Sequence, residues 1–393
     1  VSVPGAVYLS RASRCSITDC RVDQVGTYAV ELAAGCEDCQ VVNCELTDLG
    51  AGGIKIGHNT ARTTVDNNDI GPAGRIFHSA IGVWIGNSSL LVRSHTGRPK
   101  LLAHRGVHQH FNPEGMRGDD CAATRIAPPT HAFLENTLPS MAAAFAAGAD
   151  VVELDVHLTP DGELAVFHDW TLDCLTEAHG VTHDTPMSVL RTLDLGYGYS
   201  ADGGKTFPFR GKASAHIPTL AEVLTQFAAG RFLVDFKSRQ AREGVAVAEL
   251  MSRRASYRTA VWGVYGGEAP TERARELQPS LRGYTLASLK ACGLAYIGVG
   301  WTGYVPDACR HRLMLVPANL GPLLWGWPHR FVSRMHAAGS EVILAGDYKP
   351  GVGTRGIEDA AAFDALVPEH FDGYVWTNRI ELIGPHVRAR SAP

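Results

Sequence analysis

The stretch DVVELDVHLTPDGELAVFHD, residues 150–169, decides the fold and carries much of the chemistry that the sequence offers. Its first half, residues 151–158, is rich in β-branched and apolar side chains, which predicts a strand. Side chains alternate between the two faces of a strand, so Glu153 and Asp155 share one face. Two acidic side chains on a buried strand cost free energy unless a cation compensates them. A hard divalent cation would do so, and the alternative is a half-exposed strand whose acids face water.

A turn and a second short strand complete this stretch. Pro160, Asp161 and Gly162 predict the turn. Residues 164–167 predict the strand, which delivers His168 at its end. Twenty residues therefore bring carboxylates and imidazoles together.

Short apolar strands alternate with helical stretches through the rest of the chain from residue 100 onward. Further strands are predicted at 100–106, 231–237, 259–265, 294–300, 341–346 and 373–377, and helices at 136–147 and 218–230. About eight strands interleaved with helices over about 300 residues predict a (β/α)8 TIM barrel of the α/β class. The alternative is an open doubly wound sheet, but the dinucleotide fingerprint that many such domains carry is not apparent.

Functional residues of a barrel lie at the carboxyl ends of its strands. In this sequence, His, Arg, Asp and Lys side chains that could bind or catalyse fall at those ends. His104 and Arg105 end the first predicted strand, and His168 ends a later one. Asp235 and Lys237 share one face at the end of another strand. These positions predict one site at the barrel mouth.

The N-terminal part of the chain shows a repeat. Cys15 and Cys39 are 24 residues apart, as are Cys20 and Cys44, and the text CSITDCRV is followed by CQVVNCEL and TTVDNNDI. A repeat of this length, with two short strands and an Asn or Cys turn in each unit, is typical of a parallel β-helix. We therefore expect Cys and Asn columns that stack as internal ladders on adjacent coils.

These patterns divide the chain into three parts. Residues 1–89 are predicted to form a short, all-β, right-handed parallel β-helix segment, residues 90–99 a linker, and residues 100–393 the barrel. Asp48, Lys55, Arg75 and His78 could line a glycan groove on the β-helix, or be ordinary solvated surface.

Composition limits the classes of function. The 393 residues are 45% hydrophobic and 19% charged, as in a soluble globular protein. The net charge of −4 gives no general affinity for nucleic acid or an anionic membrane, so no nucleic-acid partner is expected. No apolar run reaches the roughly 18 residues that span a bilayer. Four of the nine cysteines show no partner spacing and are expected to be inert thiols: Cys121, Cys174, Cys292 and Cys309.

The segments LLAHRG, LENT, GADVVELDVHLTPDGELAVFHD, IPTLAEVL and LVDFK, in this order, resemble the glycerophosphodiester phosphodiesterase family over roughly residues 100–385. The resemblance implies that Glu153, Asp155 and Asp235 bind a divalent cation, Mg²⁺ or Ca²⁺. It further implies that His104 and His168 form the acid/base pair of the reaction. The N-terminal segments LTDLGAGGIKIG and GRIFHSAIGVWIG resemble right-handed parallel β-helix proteins related to polysaccharide lyases and glycoside hydrolases.

By the same resemblance, Arg105 and Lys237 contact the substrate phosphate, and Glu135 is a carboxylate that organises the site. The implied reaction is an in-line displacement at phosphorus, which hydrolyses a glycerophosphodiester or a related lysophospholipid to an alcohol and sn-glycerol 3-phosphate. Two points stay open, namely which histidine is the base and whether the nucleophile is water or a neighbouring glycerol hydroxyl.

The sequence also departs from the usual pattern of the family. The late metal-binding Glu is Asp235, the closing strand ends at Asn378 where Asp is usual, and EVILAGDY replaces the common Trp-Thr-Val-Asn segment. An insertion at 107–133, with His108, His110, Asp119, Asp120 and Arg125, is predicted to form a lid or substrate loop. His104 and His108 are not expected to form a zinc site, because HRGVH ends a strand rather than lying on a helix.

Alternatives remain at this stage. The barrel could be degenerate, with the β-helix docking a glycan as the working part, or the junction near residue 90 could join two parts that share no function. Trp301, Tyr304, Trp325 and Trp327 could form an aromatic wall for a substrate or belong to an ordinary rim and core. The sequence does not fix the compartment, but β-helix coils and phosphodiester scavenging favour an extracytoplasmic one, periplasmic or secreted.

Overall fold

The computed structural model describes residues 4–57, 59–71, 83–85, 98–111, 121–212, 216–351 and 353–391. The chain divides into two compact units, Val1–Thr96 and Gly97–Pro393. Most of the predicted linker at 90–99 lies outside the described residues, so its boundaries stay a prediction.

Ten short strands of the first unit wind into three parallel sheets. They are β1 (Val7–Leu9), β2 (Ser16–Thr18), β3 (Arg21–Asp23), β4 (Val30–Leu32), β5 (Gln40–Val42), β6 (Glu45–Thr47), β7 (Ile54–Ile56), β8 (Thr64–Asp66), β9 (Asp69–Ile70) and β10 (Val83–Ile85). The hydrogen-bonded orders are β1–β4–β7–β10, β2–β5–β8 and β3–β6–β9. Every third strand therefore joins the same sheet, which confirms the predicted parallel β-helix.

The interior of these coils is built from stacked columns. Cys39 and Cys44 are buried free thiols that pack among Leu, Ile and Val side chains of the coils. Asn68 continues the Cys44 column: its Oδ1 accepts from Cys44 N at 2.9 Å, and its Nδ2 donates to Val41 O at 2.8 Å. These contacts confirm the internal ladders.

The second unit is a barrel. Its strands are β11 (Lys100–Ala103), β12 (Val151–Leu158), β13 (Leu164–Val166), β14 (Phe232–Phe236), β15 (Val261–Gly266), β16 (Arg282–Tyr284), β17 (Leu313–Pro317), β18 (Glu341–Ala345), β19 (Tyr348–Lys349), β20 (Gly353–Thr354) and β21 (Tyr374–Thr377). Eight of them follow the order β16–β15–β14–β12–β11–β21–β18–β17, and the first barrel strand β11 pairs with the last, β21. Parallel pairing joins every pair of neighbours on this path, and among the described residues only its two ends, β16 and β17, are not paired with each other. This arrangement confirms a nearly closed (β/α)8 barrel.

Helices surround the strands and complete the layers. They are α1 (Leu138–Ala147), α2 (Met187–Leu190), α3 (Leu220–Gln226), α4 (Ala241–Arg253), α5 (Ala255–Ala260), α6 (Glu268–Leu277), α7 (Leu286–Val299), α8 (His329–Ala337), α9 (Ala360–Leu366) and α10 (Ile380–Ser391). None of the helices in the described part of the chain combines the length and apolarity that crossing a bilayer requires. The main core lies between these helices and the outer faces of the strands.

The predicted strand at 294–300 is wrong, because residues 294–299 form the end of α7. An apolar run such as LAYIGVG does not distinguish a strand from a buried helix by periodicity alone. The helix begins with a capping box, in which Thr285 Oγ1 accepts from Ser288 N at 3.1 Å and Ser288 Oγ accepts from Thr285 N at 2.8 Å. The predicted strand at 164–167 forms as β13 but pairs antiparallel with β12, off the barrel path. The strands β16 and β17 therefore take the barrel positions of these two predicted strands.

The expectation of four inert thiols is also wrong. Cys121 is bonded to Cys174, and Cys292 is bonded to Cys309. The sequence separations of 53 and 17 residues form no recognisable motif, and only the fold brings the Cα atoms to 5.3 and 4.8 Å. The five cysteines of the β-helix are free thiols.

The close approach of α4 and α6 generates a stability prediction. A Cβ atom at Gly244 would lie 2.0 Å from Pro270 O, so the two helices would have to separate. We expect Gly244→Ala to lower the free energy of unfolding by about 1 to 3 kcal/mol, as overpacked sites do. Urea unfolding followed by circular dichroism measures the change.

Gly293→Ala is the matched control, because Gly293 also lies inside a helix but has no atom beyond its own helix within 4 Å of the added Cβ. Alanine is favoured over glycine there by up to about 1 kcal/mol. Equal stability of the two variants would contradict the close helix contact.

Candidate active site

Three carboxylates converge toward the carboxyl ends of two neighbouring strands. Glu153 and Asp155 lie on β12, and Asp235 lies on β14 directly opposite Asp155 in the register. One oxygen from each lies within 4.8 Å of the others, and all three side chains are buried. The interpretation of β12 as a half-exposed strand with solvated acids is therefore wrong.

Two cations and an amide surround Asp155. Arg105 Nε lies 3.1 Å from its Oδ2, and Lys237 Nζ lies 3.3 Å from its Oδ1 and 3.1 Å from Asp235 Oδ2. Asn136 Nδ2 donates to Asp155 Oδ2 at 2.8 Å. Burial acts to raise the pKa of Asp155, but Arg105 and Lys237 outweigh it and hold that pKa well below its usual value. Asp155 therefore carries a full negative charge.

Glu153 and Asp235 are shifted the other way. Burial and the nearby carboxylates Asp155 and Asp235 raise the pKa of Glu153 well above its usual value, although Tyr265 OH donates to its Oε1 at 2.8 Å. Burial raises the pKa of Asp235 to about 6, against the opposing effect of Lys237. Arg105 and Lys237 thus compensate the charge of Asp155 but do not outweigh the effect of burial on Glu153 and Asp235.

The triad fits a hard divalent cation. No hydrogen bond from the described residues reaches Asp155 Oδ1, which is fully buried. Oxygen ligands on adjacent strands suit Mg²⁺ or Ca²⁺ rather than softer metals. Asp235, although one methylene shorter than Glu, still reaches the other two carboxylates. No other cluster of three such ligands occurs among the residues that the structure describes, and His104 with His108 forms none.

The backbone after β11 turns sharply to aim Arg105 into this site. Arg105 has a φ of 56° and Gly106 a φ of 77°, both left-handed. Such a conformation costs a non-glycine residue on the order of 1 kcal/mol and persists only where surrounding contacts impose it. Here Arg105 N donates to Glu153 O at 3.0 Å, and Arg105 Nη1 pairs with Glu135 Oε1 at 3.1 Å. Glu135 thus fixes the guanidinium beside the triad.

His104 is held by two successive hydrogen bonds. Asn378 Nδ2 donates to Glu358 Oε1 at 2.6 Å, and because a carboxylate only accepts, Asn378 must turn its Oδ1 toward His104. His104 Nδ1 lies 2.7 Å from that oxygen and therefore carries the proton. Nε2, 3.7 Å from Glu153 Oε2, is left with its lone pair. Burial, reinforced by the charge of Arg105, lowers the pKa of His104 well below its usual value.

His168 has a charged partner instead. Its Nδ1 lies 2.6 Å from Asp169 Oδ1. The two imidazoles also border different cavities: His168 lines one of about 700 Å³ together with Arg105 and Lys237, and His104 lines one of about 300 Å³ together with Tyr265. Both imidazoles lie near Asp155.

The structure therefore brings all eight predicted site residues to one barrel mouth. It adds three that the sequence analysis did not single out, Asn136, Tyr265 and Glu358. Asn136 belongs to the LENT segment, and Tyr265 lies near the end of a predicted strand, so both positions offered a signal. Glu358 lies in the loop before α9, and no pattern in the sequence marks it.

The described parts of the insertion at 107–133 form one wall of the larger cavity. Phe111, Cys121 and Ile126 line it, and the disulfide to Cys174 ties this wall to the loop after β13. His108 is buried, and burial with the Arg105 charge lowers its pKa to about 3. Asp119 and Asp120 lie outside the described residues, and a lid function stays a prediction.

Other expected binding residues lie elsewhere. Trp301, Tyr304, Trp325 and Trp327 line neither cavity, whose aromatic residues include Trp170, Tyr199, Tyr265, Tyr284 and Trp376. In the β-helix, Lys55 Nζ pairs with Glu31 Oε1 at 2.9 Å. Arg75 and His78 lie outside the described residues, so the glycan groove stays a prediction.

Comparisons with known proteins agree with this arrangement. A family model described as the glycerophosphoryl diester phosphodiesterase family matches residues 104–344, and one described as the right handed beta helix region matches residues 4–95. A glycerophosphodiester phosphodiesterase from Caldanaerobacter subterraneus subsp. tengcongensis is 38% identical over 103 residues, which cover 26% of this chain and 39% of that protein. One from Bacillus subtilis is 34% identical over 96 residues, 24% of this chain and 31% of that protein.

The chain thus spans well under half the length of these relatives. Among solved structures, the glycerophosphoryl diester phosphodiesterase domain of an uncharacterized protein from Mycobacterium tuberculosis superposes with a TM-score of 0.51 at 18% identity, covering 74% of this chain and 99% of that one. At this identity the likeness shows the barrel fold alone.

The hydrogen bonds to His104 predict its tautomer. We expect ¹⁵N NMR of the histidine-labelled chain to show His104 protonated at Nδ1, with the signal assigned by its loss in His104→Ala. Asn378→Ala should raise the population of the tautomer protonated at Nε2, because it removes the acceptor that favours protonation at Nδ1. Asn319→Ala, in a loop distant in sequence from His104, is the control. A pure Nε2 tautomer in the wild type would contradict the assignment.

Proposed function

Because the chain belongs to the glycerophosphoryl diester phosphodiesterase family, we propose that it hydrolyses a glycerophosphodiester, or a related lysophospholipid, to an alcohol and sn-glycerol 3-phosphate. The named relatives point to the same activity. The observation that carries the proposal is the meeting of two imidazoles, two cationic side chains and a carboxylate triad at one barrel mouth.

Charge neutralisation comes first in this chemistry. Glu153, Asp155 and Asp235 would hold a divalent cation, Mg²⁺ or Ca²⁺, which when bound supplies positive charge for the phosphate oxygens. Arg105 and Lys237 line the larger cavity and add two fixed cations beside the triad. A phosphodiester anion is attracted to this corner of the cavity, and bidentate contact with the guanidinium of Arg105 would orient it.

The partners of the two imidazoles support a different role for each in this proposal. His104 is neutral, because its partner Asn378 is an uncharged amide and because burial and Arg105 disfavour its cation. Its Nε2 lone pair suits the general base that deprotonates water or a neighbouring glycerol hydroxyl. His168 Nδ1 lies 2.6 Å from Asp169 Oδ1, a partner that orients the ring for the role of general acid, which protonates the leaving alkoxide.

The two disulfides support an extracytoplasmic setting. Structural disulfides persist in oxidising compartments and are rare in the reducing cytosol. Cys121–Cys174 and Cys292–Cys309 both lie in the barrel unit, which holds the site. We therefore propose that the barrel works in the periplasm or outside the cell.

Release of sn-glycerol 3-phosphate from glycerophosphocholine by the full chain tests the activity, with Mg²⁺, with Ca²⁺ and with EDTA. His104→Ala and His168→Ala should each lower kcat by about 10² to 10⁴, the usual contribution of general acid or base catalysis, with a smaller effect on KM. His386→Ala, whose imidazole pairs with Asp364 away from the triad, is the control. Full turnover in His168→Ala would show that His168 takes no part in the reaction.

Calorimetric titration with Ca²⁺ or Mg²⁺ tests the cation site separately. Asp235→Asn removes one of the clustered negative charges, and we expect the affinity to fall about tenfold or more. Asp235→Glu, the residue more usual in the family, should retain binding, and Glu163→Gln, an exposed acid, should not change it. Activity that persists in EDTA would contradict a role for the cation.

A further inference from the structure

One face of the barrel unit exposes an unusual amount of apolar surface. Of the sixteen large hydrophobic residues that are exposed in the described chain, nine lie between residues 286 and 325. They lie on α7, on the turn at 300–304 and on the loop at 320–325, which we call together the α7 surface. Apolar clusters of this kind on a soluble protein mark sites of interaction.

Three of the four large hydrophobic residues exposed on α7 form one stripe together with Lys290. Leu286, Lys290, Leu294 and Ile297 are spaced by four, four and three residues, which places them on a single helix face. Leu294 is 73% exposed, more than any other large hydrophobic residue described. Lys290 is the only charged residue of the helix, and its long stem allows the ammonium to extend away from an apolar contact.

Two tryptophans extend the stripe at the end of α7. Trp325 Nε1 donates to Ile297 O at 2.8 Å, and Trp301 Nε1 donates to Gly298 O at 3.2 Å. The indole nitrogens thus cap the last carbonyls of the helix, while the side chains of Trp301 and Trp325 remain 67% and 49% exposed. Exposed indoles next to aliphatic side chains are typical of protein surfaces that enter the interfacial layer of a membrane.

The α7 surface is held rigidly from beneath. Cys292, on the buried side of the helix, is bonded to Cys309, and the buried Tyr296 donates its OH to Trp325 O at 3.0 Å. Because the buried face is fixed in this way, the exposure of Leu294 and Ile297 is a built feature of the fold.

The charge of this region differs from that of the whole chain. Residues 286–340 contain five Lys or Arg residues and a single acid, Asp307, whereas the net charge of the chain is −4. Arg312 pairs with Glu272, which lies outside the segment, and Arg310 pairs with Asp307. Lys290 is the one charged residue of the α7 surface itself. A basic segment with exposed Trp, Leu and Ile side chains complements an anionic lipid surface.

The α7 surface also starts next to the active mouth. Tyr284 and Leu315 line the cavity beside His104. Leu286 follows Tyr284 by two residues, and Leu320 follows Leu315 by five. Both parts of the surface therefore leave the barrel at the end where the proposed reaction takes place.

We infer that the α7 surface docks the protein onto an anionic phospholipid bilayer as a peripheral contact. The bilayer is favoured over a second copy of the chain because two copies packed on this surface would bring Lys290, which lies within the exposed stripe, close to its own counterpart. The inference does not depend on the proposed hydrolysis, and binding alone tests it.

Flotation with vesicles tests this inference on the full chain in EDTA, with phosphatidylcholine vesicles that contain phosphatidylglycerol and with pure phosphatidylcholine. We expect binding to the anionic vesicles. The double variant Leu294→Glu/Trp301→Ser should lower the partition coefficient about tenfold or more, because two apolar side chains no longer leave water. Lys290→Glu should weaken binding to the anionic vesicles only.

The controls are Leu277→Glu and Leu382→Glu, which change exposed leucines outside the α7 surface and should bind as the wild type does. Circular dichroism checks that every variant is folded. No flotation with anionic vesicles, or equal flotation of the double variant and the wild type, would overturn the inference. So would a wild-type dimer in analytical ultracentrifugation that the double variant loses, since the surface would then join two copies.

Discussion

The packing of three carboxylates within 4.8 Å at the end of two strands is the constraint on which the site depends. Carboxylates buried this close together raise each other's pKa. The fold places a cationic side chain on either side of Asp155 to compensate. Arg105 comes from the turn after β11 and Lys237 from the end of β14. The left-handed turn at Arg105, the salt bridge to Glu135 and the amide of Asn136 all serve to keep Asp155 ionised.

The two imidazoles at this barrel mouth differ in the charge of their hydrogen-bond partners. Asn378 offers His104 a neutral acceptor, and Asp169 offers His168 a carboxylate. Asn378 departs from the usual residue of the family, yet Glu358 fixes its amide so that it still selects one tautomer. The substitution therefore preserves the orientation of the ring while it withholds a negative charge from it. The two rings are thus held by chemically different partners.

Much of the fold follows from local patterns, and the exceptions have physical reasons. The strand at β12 and the acids on it could be predicted, since strand alternation fixes which side chains share a face. The end of α7 was predicted as a strand, because a helix that is apolar all round shows no period to distinguish it. The pairing of four cysteines and the position of Glu358 arise only when distant segments meet. Such contacts leave no trace in the spacing of residues.

The bond between Cys121 and Cys174 has a consequence for how the site is assembled. The 53-residue segment that it closes contains Glu135, Glu153, Asp155, His168 and Asp169. A closed loop of that length removes about 4 kcal/mol of chain entropy from the unfolded state in the loop-entropy model. Once oxidised, the chain keeps these groups on one small ring even when the barrel opens, so that refolding restores the site without a long-range search among them.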